Sequence, residues 1–357
     1  MNTYVKFLTY IFIKSFFYVF LIIISLIFIV NLLSELDFFK EIEVDTNLIL
    51  FLTLLNSPAT IMEIFPFIFF ITTQLFFITL FNNNELEIFK YSGLKNSKIL
   101  LILSILSFVG GILITLLFYN FSSNLKSFYL ELKSQYTTNN KYLAVVTKNG
   151  LWIKDKSDNK TLIINSNKIN QTYLIENFIT EFNDNYEVIR NIKSDKIEIS
   201  NEEWLIFDAK IFKKNDYSFE KILKLKTNFN YKKIQSLYSN LSSLDIFQLY
   251  ELRDNYINLN YSITDLNLQI YKLILLPLYM VLITLFSAAI MLRIKKIDSS
   301  TFKITLGIFF SVIIYYINNF FYTLGSTEKF SLLLSVSLPL LILILTNGLV
   351  LKSINEK

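Results

Sequence analysis

The chain of 357 residues contains no cysteine and no histidine, only seven glycines and four prolines, and only 18% of its residues are charged. Without cysteine it has no disulfide, no thiol nucleophile and no thiolate zinc site. Without histidine it lacks the commonest general base and the commonest metal ligand. Most hydrolase and metalloenzyme chemistry is thereby excluded. There is also no glycine-rich phosphate loop, no sequence-paired carboxylate motif and no serine elbow, so nothing points to an enzyme. An ordinary globular chain carries about 25% charged residues. Here 53% of the residues are hydrophobic, and that excess needs a sink larger than a protein core, which a membrane supplies.

Runs long enough to cross a hydrocarbon core, roughly 20 residues, occur at Phe16 to Leu33, Ile61 to Phe81, Ile99 to Tyr119, Leu273 to Leu292, Ile304 to Leu324 and Phe330 to Leu351. They form a three plus three arrangement around a polar middle. No small-residue cleavage site follows the first run, so it reads as a retained helix rather than a signal peptide. Placing the N-terminus inside puts Lys6, Lys14, Lys90, Lys95, Lys98, Arg293, Lys295, Lys296, Lys303, Lys352 and Lys357 on the cytoplasmic side, against only Lys40 and Lys329 in the short outer loops. Both termini are then cytoplasmic and the middle lies outside. Lysine and arginine nearly balance aspartate and glutamate in that middle, which argues against nucleic-acid binding.

The middle changes rhythm. Tyr142 to Thr147, Leu151 to Lys154, Thr161 to Asn165, Tyr173 to Glu181, Tyr186 to Lys193, Lys196 to Ile199, Trp204 to Phe212 and Phe219 to Lys226 are short runs rich in Ile, Val, Tyr, Phe and Trp. That spacing predicts an all-β, jelly-roll-like domain. Its turns rest on Asn and Asp, as at Lys148-Asn149-Gly150 and Asp155 to Asn159. Helical stalks flank it: Phe121 to Ser134, and a helix opened by a capping box at Ser242-Ser243-Leu244-Asp245. The expected architecture is an integral membrane α-helical protein with six transmembrane helices and an inserted all-β domain. Its parts are residues 1–119, 120–270 and 271–357.

Several places invite function. Asn82 to Lys95 reads as a short capped helix at about 84–93, with Asn84 and Glu87 as a reciprocal cap and Gly93 as the left-handed end. Alone it would be marginal in water, so Leu86, Phe89 and Tyr91 on it imply docking, either into a cytoplasmic partner or onto lipid headgroups. Pro58, Pro66, Pro277 and Pro339 lie in or beside spans, where they suit a cavity that changes shape or simple curvature. Glu63 fits a headgroup-level position. Lys40 and Lys272 stand at the outer surface, where they could meet an anionic headgroup or only snorkel.

Three spans, an outer β domain, three more spans and a capped helix after the second span resemble the LptF/LptG family of lipopolysaccharide export permeases over nearly the whole chain. The most specific stretch is Asn84-Glu85-Leu86-Glu87-Ile88-Phe89-Lys90-Tyr91-Ser92-Gly93-Leu94, similar to the family's NEL...SG coupling stretch. Supporting pieces are Gly150 to Asp155, Glu203 to Asp208, Ser243 to Phe247, and Tyr271-Lys272-Leu273 leading to Pro277. The tryptophans and the Lys272 to Pro277 spacing look more like the LptG branch.

The resemblance implies a permease subunit, itself non-catalytic, of an ABC transporter that draws lipopolysaccharide from the inner membrane and passes it through a periplasmic β-jellyroll. The implied partners are an LptF-like homologous permease, an LptB-like ATPase dimer holding ATP and magnesium, and LptC-like and LptA-like bridge proteins; this chain is expected to bind no cofactor or metal. Glu85, Leu86, Glu87, Phe89, Lys90, Tyr91 and Gly93 would form the ATPase-coupling helix. Lys40 and Lys272 would meet the lipid headgroup, and Trp152, Ile153, Trp204 and Phe207 the lipid in the β domain. Lys40 stands among Glu35, Asp37, Glu41 and Glu43, an acidic setting in which headgroup recognition could rest on the partner subunit, on divalent cations or on a less phosphorylated lipid. A lipoprotein-release or macrolide-export permease fits worse, because those typically have four spans. The alternative from another class is a membrane-anchored periplasmic sensor or assembly scaffold without transport.

Overall fold

The computed structural model describes residues 3–136, 151–157, 160–170, 172–183, 185–213, 216–231, 234, 240–258, 262–295, 297 and 299–355. The expected strand Tyr142 to Thr147, the turn at Lys148-Asn149-Gly150, and Lys296 and Lys357 lie outside these residues. Two compact units emerge: Met1–Lys126 with Ile263–Lys357, and Ser127–Ser262.

The first unit is helical. It holds α1 (Thr3–Phe38), α2 (Thr46–Asn82), α3 (Glu85–Tyr91), α4 (Asn96–Leu113), the first turns of α5 (Tyr119–Ser134), α7 (Thr264–Arg293), α8 (Ser300–Ser326) and α9 (Leu332–Asn355). A π turn at Ile114–Phe118 joins α4 to α5, so the third span is one continuous helix. Six helices among the described residues are long and apolar enough to cross a membrane, three before the β insert and three after it. In lipid a helix satisfies its own backbone, which is why these apolar runs can take no other form. Polar side-chain caps set the start of two of these helices. Asp45 accepts from the Asn47 amide at 3.2 Å before α2, and Ser299 accepts from the Phe302 amide at 3.2 Å before α8.

The middle of this unit is α2 and α7, the two most buried spans. Phe65, Phe69, Phe70, Phe76 and Phe77 of α2 pack with Met280, Ile283 and Met291 of α7 in one apolar core. Hydrophobicity cannot hold helices together in lipid, so small residues and buried hydrogen bonds make the seams. Ser107 and Thr284 hydroxyls meet at 2.8 Å, Ser287 donates to the Phe70 carbonyl at 2.8 Å, and Asn347 to the Leu282 carbonyl at 3.0 Å. Gly111 lies so close to Pro277 that a Cβ there would be 2.6 Å from its Cα. The outer faces of α1 and α8, the least buried spans, expose Phe17, Leu26 and Val30, and Phe309, Tyr316 and Phe320.

The second unit is a six-stranded antiparallel sheet in the order β1 to β6: Leu151–Ser157, Lys160–Asn170, Tyr173–Phe182, Val188–Glu198, Glu203–Lys213 and Asp216–Lys226. The all-β insert is as expected, and its connections are too short for any order but a meander. Two expected strands, Tyr186 to Lys193 and Lys196 to Ile199, are one strand, β4, with an irregularity at Asp195. Asp155, read as a turn residue, lies inside β1 with its side chain buried.

That irregularity is part of a line. Pairing skips Asn167 and Glu176 between β2 and β3, Asp195 and Asp208 between β4 and β5, and Asp208 and Lys221 between β5 and β6. Glu176 and Asp208 take positive φ, 55° and 49°. The register is unchanged on either side, so this row of unpaired positions, two of them at positive φ, interrupts the ladders at one level and creases the sheet into two leaves. Side chains satisfy the carbonyls freed there: the Ser166 hydroxyl contacts the Lys168 and Ile175 carbonyls, Ser194 those of Lys196 and Phe207, and Asn177 donates to Leu174 and Ser194.

Ile153, Ile164, Ile179, Ile192 and Ile211 form a buried row across five strands of one leaf, and Leu174, Ile197, Ile206 and Trp204 are buried on the other. After the sheet, α6 (Ile246–Asn258) is capped not by Ser242 but by Asp245, which accepts from the Gln248 amide at 2.8 Å while Gln248 accepts from the Asp245 amide at 3.0 Å. Ser242 belongs instead to a short 3-10 turn, capped by Asn240.

Candidate functional site

Helix α3 sits in the turn between α2 and α4. Its C-terminal end is as read from the sequence: Gly93 has φ +80°, its amide donates to the Lys90 carbonyl at 3.0 Å, and the Leu94 amide donates to Phe89 at 2.9 Å, a Schellman closure. Its start is not. Asn84 itself takes a left-handed conformation with φ 54°, and its side chain caps nothing. Glu87 does not fold back; its carboxylate pairs at 3.0 Å with Lys295, in the turn between α7 and α8. A partner distant in the chain has taken the group that the local cap would use.

The helix has two faces. Leu86 is buried, and Phe89 packs edge-on against Phe7 of α1 with ring centroids 6.0 Å apart. These two anchor α3. The opposite face carries Ile88, 59% exposed, and Tyr91, 89% exposed, beside Glu87 and the exposed Lys90. Of the expected docking residues, Tyr91 is free to meet a partner, whereas Leu86 and Phe89 are turned inward. Ile88 was missed. Its signal was present in the sequence, since a seven-residue helix that buries positions 86 and 89 must present 88 and 91.

The four lipid-contact candidates divide by strand alternation. Ile153 and Trp204 point to the buried side, Trp204 donating its indole N–H to the Phe229 carbonyl at 2.7 Å. Trp152 and Phe207 lie on the other face, Trp152 being 54% exposed, with the Lys196 ammonium 5.9 Å from the Phe207 ring. Lys40 is exposed in the turn after α1. Lys272 is exposed on α7, its ammonium 5.8 Å from the Tyr322 ring of α8. No group of three or more acidic side chains suited to a metal ion occurs among the described residues.

Six spans split by a β insert, with a two-faced helix in the turn after the second span, agree with a family comparison. Residues 6–353 match the model of the lipopolysaccharide export system permease LptF/LptG. The chain belongs to the LptF/LptG family. A comparison with curated proteins gives no match. As an LptF/LptG protein it is a multi-pass inner-membrane permease of lipopolysaccharide export, a system built with partner Lpt proteins. The match takes in both the helical unit and the β insert, so neither is an addition foreign to the LptF/LptG pattern.

Proposed function

We propose that this chain is the non-catalytic membrane subunit of an ATP-driven lipopolysaccharide extractor. It has both termini in the cytoplasm and α3 docked into a separate nucleotide-binding subunit. The exposed Ile88 and Tyr91 face of α3 carries this reading. A helix this short does not stay folded alone, yet it is pinned from behind by Leu86 and Phe89 while two large apolar side chains are held outward. ATP and magnesium belong to that partner. A second, homologous six-span subunit completes the cavity, and LptC-like and LptA-like proteins receive the lipid from the β domain.

Energy input follows from the cargo. Each CH₂ withdrawn from lipid into water costs about 0.8 kcal/mol, so a multi-chain lipid needs both a motor and an apolar receiving surface. The buried isoleucine row of the β domain is suited to the second. Lys40, exposed in the turn after α1, and Lys272, exposed on α7, are suited to the headgroup.

The experiment is affinity purification of the chain with its partners followed by ATPase assay. Hydrolysis is expected only with the nucleotide-binding subunit present. Ile88→Ala with Tyr91→Ala is expected to cut co-purification of that subunit at least tenfold, and Phe89→Ala to lower the stability of α3 as well as docking. Normal co-purification and turnover with the double change would favour the scaffold alternative.

A further inference from the structure

We infer that the β domain opens as a creased sheet latched by a clasp of Asp155 with Asn228, and that release of this clasp admits an acyl chain to the isoleucine row. The inference rests on the lipid path proposed above.

Every other junction in the sheet is an antiparallel backbone ladder, β1 to β2, β2 to β3, and so on to β6, and from β2 onward these ladders are interrupted only locally. The crease through Asn167, Glu176, Asp195, Asp208 and Lys221 divides β2 to β6 into two leaves. β1 lies wholly on the first leaf, since its partners run from Lys160 to Ser166. The chain leaving β6 starts from the second leaf, where Glu203 pairs with Lys226. It forms a strap bound to that leaf: the Thr227 amide donates to the Glu202 carbonyl at 2.8 Å, the Trp204 indole to Phe229 at 2.7 Å, and the Tyr231 amide to Ile199 at 2.7 Å.

From this anchored strap Asn228 reaches the first leaf. Its backbone amide donates to Asp155 Oδ2 at 2.9 Å and its side-chain amide to Oδ1 at 2.8 Å. Asp155 is 1% exposed, and on its inward side the next residue but one is Ile153, the first of the isoleucine row. Free strand edges ordinarily close by backbone ladders or apolar packing. Here a buried carboxylate bonded by an asparagine joins the leaves, and such a contact holds only while both partners stay in register. It can part and re-form as a unit, whereas each ladder must break many bonds together. The crease supplies the hinge and the clasp the catch.

The absence of cysteine makes the test clean. Asp155→Cys with Asn228→Cys in the full chain, assembled with its partners in lipopolysaccharide-containing proteoliposomes, gives one disulfide that reductant reverses. A small diazirine side chain at Ile179 reports lipid arrival. The oxidised protein is expected to lose ATP-dependent capture of lipopolysaccharide at least tenfold and to regain it on reduction. Asn228→Ala is expected to capture faster than the parent. Equal capture by oxidised and reduced protein would overturn the clasp while leaving the lipid path standing. No capture by the reduced or parent chain, with ATPase activity intact, would overturn the path itself and the clasp with it.

Discussion

Single side chains set much of this molecule's behaviour through what they are forced to meet. Glu181, on the buried face of β3, sits between Lys160 at 2.6 Å and Arg190. Burial alone would raise its pKa, but hydrogen bonds and charge from Lys160 and Arg190 outweigh that and hold it below the ordinary value of 4.5. A depressed carboxylate stabilises the fold fully above its unfolded pKa, and the contribution is lost as pH falls through the lowered folded value. Denaturant unfolding of the β domain should therefore shift to lower midpoints below about pH 4.5. Glu181→Gln should flatten that dependence and lower the midpoint at neutral pH, where two cations lose their shared anion. In the helical unit Gln74 has a comparable role without charge. Its amide donates to the Lys303 carbonyl at 3.0 Å, and it lies so close to Gly307 that a Cβ there would be 1.9 Å from Oε1.

At the scale of elements the crease depends on polar groups standing where strand alternation would place apolar ones. Ser194 is the clearest: its hydroxyl lies 2.6 Å from the Phe207 carbonyl and 2.8 Å from that of Lys196. Ser194→Val keeps a small side chain and removes the donor. The Lys196 and Phe207 carbonyls then lose the one donor they share, at a cost of about 1–3 kcal/mol. The β domain should melt several degrees lower, with faster amide exchange in β4 and β5 than in β1. Equal exchange across the sheet would mean that the crease is held by its backbone alone.

The spans, the β insert, the continuous third helix and the left-handed Gly93 were legible from hydrophobic runs, alternation and turn chemistry, all of which are local. The crease was not. Ser166, Asn177 and Ser194 look like ordinary polar strand residues until the register aligns them across three strands. The cap of α3 failed for the same kind of reason. Asn84 and Glu87 have the right spacing, but Lys295 is a stronger partner than a backbone amide and is invisible to any local window.

For the molecule as a whole, the decisive relation is between α3 and the two least buried spans, α1 and α8. Helix α3 reaches α1 through Phe89 on Phe7, and the turn leading into α8 through Glu87 and Lys295. Helix α3 is thus tied to both of these spans as well as to the core of α2 and α7, which includes its Leu86. The Glu87–Lys295 pair is half exposed, so its contribution to stability is only about 0.2–1 kcal/mol. Its removal should hardly change the melting temperature. Glu87→Lys and Lys295→Glu should each lower lipopolysaccharide exported per ATP hydrolysed, and the double exchange, which restores opposite charges, should recover most of the loss. Recovery in the double variant is the outcome that a contact between Glu87 and the ATPase alone cannot produce, because the reversed charge at that position would then still face the wrong partner.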